Sequence, residues 1–162
     1  MYHTTKEQLE RINQQMKERA GLYRSKVSNL GISENEFWIW YALICMGGEL
    51  SQQDICGIWA FSKQTVNTII SHMVKNNYVT LEVVPCTRNR KNIHLTEEGR
   101  KFGESVIVPI FNAEARALER IPPDERTACI AVLEKYTKLL KEELYGTENG
   151  YAESGSENIY HP

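Results

Sequence analysis

The sequence of 162 residues has no apolar run long enough to cross a membrane. Its longest, Phe37 to Met46, is about half of the roughly 20 residues that a spanning helix needs. Its start, MYHTTKEQLE, lacks the basic-then-apolar pattern of an export signal, so a cytoplasmic protein is expected. Cysteine is sparse. Cys45, Cys56, Cys86 and Cys129 show no CxxC or similar metal spacing, and in a cytoplasmic chain they default to free thiols, mostly buried. There is no GxSxG, no HExxH and no phosphate-binding glycine loop, so no catalytic set stands out. Neither an enzyme nor a cofactor is expected. No internal repeat is visible, and the net charge of -2 is only a slight acidic excess.

What is present is unevenly placed. A hydrophobic content of 41% and a charged content of 25% suit one ordinary soluble domain. The positive charge is local: residues 60–103 hold seven Lys/Arg against three Glu, although the whole chain is negative. Charge distribution matters more than the total for binding a polyanion. The basic excess coincides with the stretch from Ser62 to Thr96, which reads as a helix, a strand, a basic loop and a second strand. Val66, Ile69, Ile70 and Met73 fall at i, i+3, i+4 and i+7, one buried helical face. The other face carries Lys63, Gln64, Asn67, Thr68, Ser71 and His72, which can hydrogen-bond with base edges and phosphates.

Thr4 or Thr5 can cap a first helix to about Ser28. Its apolar positions, Leu9, Ile12, Met16, Ala20, Tyr23, Val27 and Leu30, form a narrow seam. Such a seam packs on another helix, from a second chain or from the same one. After Gly31, Ser33 to Glu36 reads as a capping box that opens a second, aromatic-rich helix, from Glu34 to about Met46. That helix is too apolar all round to lie on the surface. Ser51 and Asp54 repeat the capping device and open a third helix to about Trp59 or Ala60. Phe61-Ser62 then opens the fourth. Two short helices joined by a few residues, the second polar outside, are a helix-turn-helix signature. Asn76-Asn77 closes the fourth helix, because Asn tolerates left-handed backbone. Val79 to Val84 and Asn92 to Leu95 make a hairpin with Arg88, Arg90 and Lys91 at its tip. Thr96 caps a fifth helix that contains Pro109. A sixth follows Pro122-Pro123 and ends near Tyr145. Residues 146–162 lack periodicity and suit a disordered tail.

These readings give a mainly α fold with a small β-hairpin wing, a winged helix-turn-helix with long N- and C-terminal helices. Residues 32–96 form the winged DNA-binding region. Residues 1–31 and 97–145 form a helical region on either side of it. The expected DNA-contacting residues are Ser62, Lys63, Gln64, Thr65, Asn67, Thr68, Ser71, His72 and Lys75 from the helix, with Arg88, Arg90 and Lys91 from the loop. Gln64 and Asn67 are the best adenine readers, and Lys63 and Lys75 suit phosphates. Tyr23, Trp38, Trp40 and Tyr41 are either plain core or the border of an effector pocket. His72 and His94 lack companions at metal-ligand spacing and read as surface or DNA-proximal histidines; no metal site is expected. Cys86 borders the basic tip and is either an ordinary exposed thiol or an oxidation sensor.

SKQTVNTIISHMVKNNYV followed by IHLTEEGR resembles the MarR (multiple antibiotic resistance regulator) family of winged-helix transcription regulators. The resemblance covers residues 5–145 and is most specific over 62–79 and at Leu95-Thr96-Glu97-Glu98-Gly99. It implies a homodimer held by the first and the last two helices, with a recognition helix in each major groove and a wing over each adjacent minor groove. It also implies a near-palindromic DNA operator and, in many members, repression relieved by a small apolar or phenolic ligand. The chain departs from the family at the wing, whose usual Asp two residues before an inserting Arg is missing from Pro85 to Lys91. The expected Arg position falls on Asn89, between Arg88 and Arg90, and the Gly that usually ends the recognition helix is Asn77. The family's peroxide-sensing branch uses a cysteine on the first helix, and this first helix has none. The alternatives to an effector-modulated regulator are a winged-helix module that binds protein, or a thiol-based redox regulator.

Overall fold

A computed structural model describes residues 4–84, 87 and 90–146. The described residues form six helices and one hairpin: α1 (Thr5–Ser28), α2 (Glu34–Tyr41), α3 (Gln52–Trp59), α4 (Lys63–Lys75), β1 (Val79–Val83), β2 (Lys91–Leu95), α5 (Glu97–Glu119) and α6 (Pro123–Tyr145). A π-helical turn, Ala42–Met46, continues α2 where the sequence suggested one uninterrupted helix. None of these helices is long and apolar enough to cross a membrane. The tail from 147 onward, Cys86 and Arg88 lie outside the described residues.

The described residues separate into two compact units, one of residues 14–112 and one drawn from 1–13 and 113–162. The first is wider than the winged region expected at 32–96. The reason is apolar: Val27 of α1 and Val106, Ile107 and Ile110 of α5 join the same buried cluster as Phe37, Ile39, Trp40, Ile55, Val66, Ile70, Met73, Val79 and Ile93. The aromatic helix α2 is central to it, with Phe37, Ile39 and Trp40 fully buried. In the second unit, α6 buries none of its residues, and Ile130, Leu133, Leu140 and Leu144 are exposed.

Helix ends follow the side chains. Thr4 and Glu7 cap α1 reciprocally, each side chain accepting from the other's backbone N–H at 3.2 Å. Ser51 and Asp54 do the same for α3. Ser33 supplies only half of the expected box. It accepts from the Glu36 N–H, while the Glu36 carboxylate accepts from the Trp40 indole at 3.4 Å. That donor is the better use of Glu36, since Trp40 is fully buried and its N–H needs an acceptor.

β1 and β2 pair antiparallel, Val79 opposite Leu95 and Val83 opposite Lys91. A third short segment extends this sheet. Ser51 bridges to Asn92, the Ile93 N–H donates to the Leu50 carbonyl (2.8 Å), and the Asn92 amide donates to Glu49 (2.7 Å). The segment that starts α3 therefore lies along the outer edge of β2.

The cysteines are less buried than expected. Cys45 and Cys56 are half-buried and Cys129 is exposed on α6. Cys129 falls on a helix that buries nothing, so burial does not follow from residue type there.

Candidate nucleic-acid interface

The helix-turn-helix is α3, the three residues Ala60 to Ser62, and α4. Ala60 makes the turn in left-handed backbone, at φ 53° and ψ 33°. Ser62 then caps α4 by accepting from the Thr65 N–H at 3.1 Å. Val66, Ile70 and Met73 anchor α4 in the core at full burial, and Ile69 lies half-buried beside them. That anchoring turns Lys63, Gln64, Asn67, Thr68, Ser71, His72 and Lys75 to the outside, where all are exposed.

Not all of the expected contact residues are equally free to read DNA. The Ser62 and Thr65 hydroxyls lie 2.8 Å apart and bond to each other, and the Thr68 hydroxyl donates back to the Gln64 carbonyl. The amide of Asn76 lies 3.0 Å from His72 Nε2. Lys63, Gln64 and Asn67 are left as the polar groups projecting near the start of the helix.

The far end of α4 is fixed as firmly. Asn77 takes φ 58°, the Tyr78 N–H donates to the Met73 carbonyl (2.9 Å) and the Asn77 N–H to the Val74 carbonyl (3.0 Å). These two bonds make a Schellman end, with Asn in the place that Gly usually takes. The Thr96 hydroxyl then donates to the Asn77 carbonyl at 2.7 Å, and the Thr96 N–H donates to the Tyr78 carbonyl at 3.0 Å. Gly99, whose N–H donates to the Thr96 hydroxyl, packs directly against Tyr78. The Leu-Thr-Glu-Glu-Gly stretch is thus a clamp that ties the start of α5 to the end of α4.

Beside α4 lies a cleft of about 690 Å³ lined by Gln52, Gln53 and Cys56 of α3, Lys63 and Asn67 of α4, and Arg90 and Lys91 at the hairpin. Three cations, two amide side chains on α3 and the Asn67 amide face one concave surface, which suits a polyanion with hydrogen-bonding edges. Gln52 and Gln53 were not singled out from the sequence. The signal was present: both are polar residues in the first turn of the short helix before α4, the helix that in a helix-turn-helix crosses the duplex backbone.

The hairpin continues past its strands, with the Val84 N–H donating to the Arg90 carbonyl at 2.9 Å. Arg90 does not extend freely into solvent. Its Nη2 donates to Asp54 Oδ2 at 2.9 Å, and that same oxygen accepts from the Ser51 N–H (2.8 Å) and the Ser51 hydroxyl (2.7 Å). The Ser51 hydroxyl and N–H hold the Asp54 carboxyl below its ordinary value of 3.8; burial opposes them, and the charge and hydrogen bond of Arg90 lower it further by smaller amounts. His94 stands 3.1 Å from Glu82 across the hairpin. Among the described residues, no group of three or more His, Cys, Asp or Glu is gathered closely enough to hold a metal ion.

The aromatic candidates divide. Trp38 meets Tyr23 at 5.0 Å, Tyr41 at 5.6 Å and Trp59 at 4.7 Å between ring centres. Trp40 points elsewhere, against Tyr78 (5.5 Å) and Phe102 (5.2 Å). Tyr23, Trp38 and Tyr41 are therefore brought together, Trp59 joins them unforeseen, and Trp40 is set apart in the core. The Trp59 indole nitrogen is buried without a hydrogen-bond partner among the described residues. Its place at the end of α3, next to the turn, was the only sequence hint of it.

No protein-family model and no curated protein matches the sequence. Solved structures do match the fold. A MarR family regulator from Neisseria meningitidis superposes with a TM-score of 0.73 at 16% identity, over 85% of this chain and 96% of its own. Staphylococcus aureus MepR in its DNA-binding conformation gives 0.67 at 22% identity, over 85% and 99%. Staphylococcus aureus MarR in complex with salicylate and kanamycin gives 0.65 at 17% identity, over 86% and 93%. With the six helices, the helix-turn-helix and the hairpin of its described residues, the chain has the winged-helix fold of the MarR-family regulators.

Proposed function

We propose that this protein is a homodimeric transcription regulator that reads double-stranded DNA with α4 and flanks it with the β1–β2 hairpin. The observation that carries the proposal is the pairing of two surfaces. An exposed row of Lys63, Gln64, Asn67, Ser71 and Lys75 stands on a fully buried anchor of Val66, Ile70 and Met73, and the cleft beside it collects Lys63, Arg90 and Lys91. Gln64 and Asn67 reach base edges, whereas Lys63, Lys75, Arg90 and Lys91 neutralise phosphates. Ser62, Thr65, Thr68 and His72 support that face, and Arg88, two residues before Arg90 in the sequence, adds to the same run of positive charge. A DNA-reading protein of this kind works in the cytoplasm, and the similarity to regulators gives no support to an enzymatic role.

The second subunit is a second copy of this chain. Ile130, Leu133, Leu140 and Leu144 repeat along one exposed face of α6. An apolar stripe of this length needs a partner surface. Two-fold symmetry then sets two α4 helices roughly 34–36 Å apart and calls for a near-palindromic operator. A small apolar or phenolic ligand is the proposed effector, because Tyr23, Trp38, Tyr41 and Trp59 form an aromatic surface with one unpaired indole N–H. Similar chemistry is bound by the S. aureus MarR structure, which holds salicylate. In line with this, the regulator is a repressor released by its ligand.

The test is a salt titration of binding to the DNA upstream of its own coding region, beside a random duplex of equal length. The expected outcome is preference for the upstream DNA and a log–log salt slope of about -0.9 per neutralised phosphate. A flat salt response, or equal binding to both duplexes, overturns the proposal and leaves a protein-binding winged helix in its place.

A further inference from the structure

The wing of this chain lacks an acidic residue between Pro85 and Lys91 that could orient an arginine. An acidic partner nevertheless reaches Arg90 from 36 residues away, on α3. We infer that Asp54 is a positioning residue for DNA reading, holding the Arg90 guanidinium in the cleft between α3, α4 and the hairpin. The inference rests on the DNA-binding function proposed above and names a residue outside the contact surface that this function depends on.

An exposed ion pair by itself contributes little, because two long side chains must be ordered and solvent screens the charges. Asp54 differs in one respect: it is ordered before Arg90 arrives. Its Oδ2 already accepts from the Ser51 N–H and hydroxyl, and Ser51 is 1% exposed. The carboxylate is therefore part of the α3 cap, and only the arginine loses freedom on pairing. Arginine also suits this use, since its planar fork carries five N–H donors and one bond to Asp54 leaves others to turn outward. The neighbouring ties act in the same direction. The Asn92 amide bonds Glu49 at 2.7 Å and the Ile93 N–H bonds the Leu50 carbonyl at 2.8 Å. Arg90, Asn92 and Ile93 thus fasten the second arm of the hairpin to residues 49–54, and Arg90 is the one of the three that lines the cleft with Lys63 and Asn67. An arginine held this way meets DNA without first being ordered, which removes part of the entropic cost of binding.

The experiment uses the full chain and its upstream duplex, with Asp54→Asn, Asp54→Glu, Arg90→Ala and the Asp54→Asn/Arg90→Ala double variant, each titrated at several KCl concentrations. The α3 cap survives Asp54→Asn, because the side-chain amide oxygen can still accept from Ser51; what the change removes is the charge facing Arg90. Asp54→Asn is expected to weaken binding about three- to fivefold. Asp54→Glu is expected to bind like the wild type, and Asp54→Asn to add nothing once Arg90 is alanine. Tighter binding by Asp54→Asn would mean that Asp54 competes with DNA for Arg90, and it would overturn the inference. An equal loss with and without Arg90 would overturn it as well. Should the wild type bind no duplex, the proposed function fails, and hydrogen exchange decides the positioning separately. Faster exchange at the Val84 and Ile93 amides in Asp54→Asn, with the middle of α4 unchanged, supports the hold on Arg90; unchanged exchange at both overturns it.

Discussion

A Cβ built at Gly99 would lie 1.9 Å from the Tyr78 carbonyl oxygen and 2.7 Å from its carbon, both backbone atoms that cannot rotate away. Gly99→Ala is therefore expected to cost about 3 kcal/mol, the upper part of the usual range for overpacking. The corresponding fall in Tm is about 6–12 °C for a chain of this size. Ala60 presents the opposite case. It already holds φ 53°, where a Cβ is penalised by about 1–2 kcal/mol, so Ala60→Gly relieves strain. Part of that gain is offset by the freer unfolded chain, and a net rise of a few tenths to about 1 kcal/mol is expected in urea denaturation. Asp54 sets a pH dependence of known sign. Its carboxyl lies below 3.8 in the folded state, so its contribution is complete above that pH. It is lost only as the pH falls through the lower folded value. Acid titration of Asp54→Asn against the wild type should show equal pH dependence at neutrality and divergence only in strong acid.

At the scale of the element, α4 divides its residues between an exposed polar face, the proposed reader, and a buried apolar anchor. Gln64→Ala and Asn67→Ala should each reduce discrimination against a wrong base by about 1–3 kcal/mol and leave the salt slope unchanged. Lys63→Ala should instead weaken upstream and random duplexes alike and lower the slope by about 0.9. Competition binding on both duplexes separates the two behaviours. The elements themselves were legible in the sequence. Ser51 with Asp54, Ser62, and Asn77 are local signals, and each did in the structure what its chemistry suggests. The reach of Ser33's partner Glu36 to Trp40 was not legible, because it is a competition between two donors for one carboxylate. The Asp54–Arg90 pair and the alignment of Leu50-Ser51 with β2 were hidden for a plainer reason. They join residues some 40 positions apart, and no periodicity records such pairs. Gln52 and Gln53 were legible as polar residues opening α3 but not as walls of a cleft with Arg90 and Lys91, and no local signal set Trp59, rather than Trp40, beside Trp38.

For the whole molecule the decisive quantity is apolar surface left uncovered. Helix α6 has 23 residues and buries none of them, while its stripe from Ile130 to Leu144 is exposed. A stable interface of standard size removes about 1,600 Å² from water, roughly half from each partner. Replacing Leu133 and Leu140 by Glu is expected to convert the proposed dimer to monomers in sedimentation equilibrium. DNA affinity should fall with it, because one reading helix then binds without its symmetry mate. The winged unit keeps its own core in that variant, so its helical circular dichroism should persist over residues 14–112.

The short segment that leads into α3 lies against β2, and this has a kinetic side. The hairpin can close locally, since Val83 and Lys91 are joined by a short loop. Glu49 and Asn92 are 43 residues apart, with the whole helix-turn-helix between them. Joining them early would cost the closure of that long loop before the intervening helices contribute. The bonds from Glu49, Leu50 and Ser51 to β2 should therefore form late. Interactions absent from the folding transition state act on the rate of unfolding. On this account, residues 49–51 do little to decide how fast the head assembles and much to decide how long it lasts.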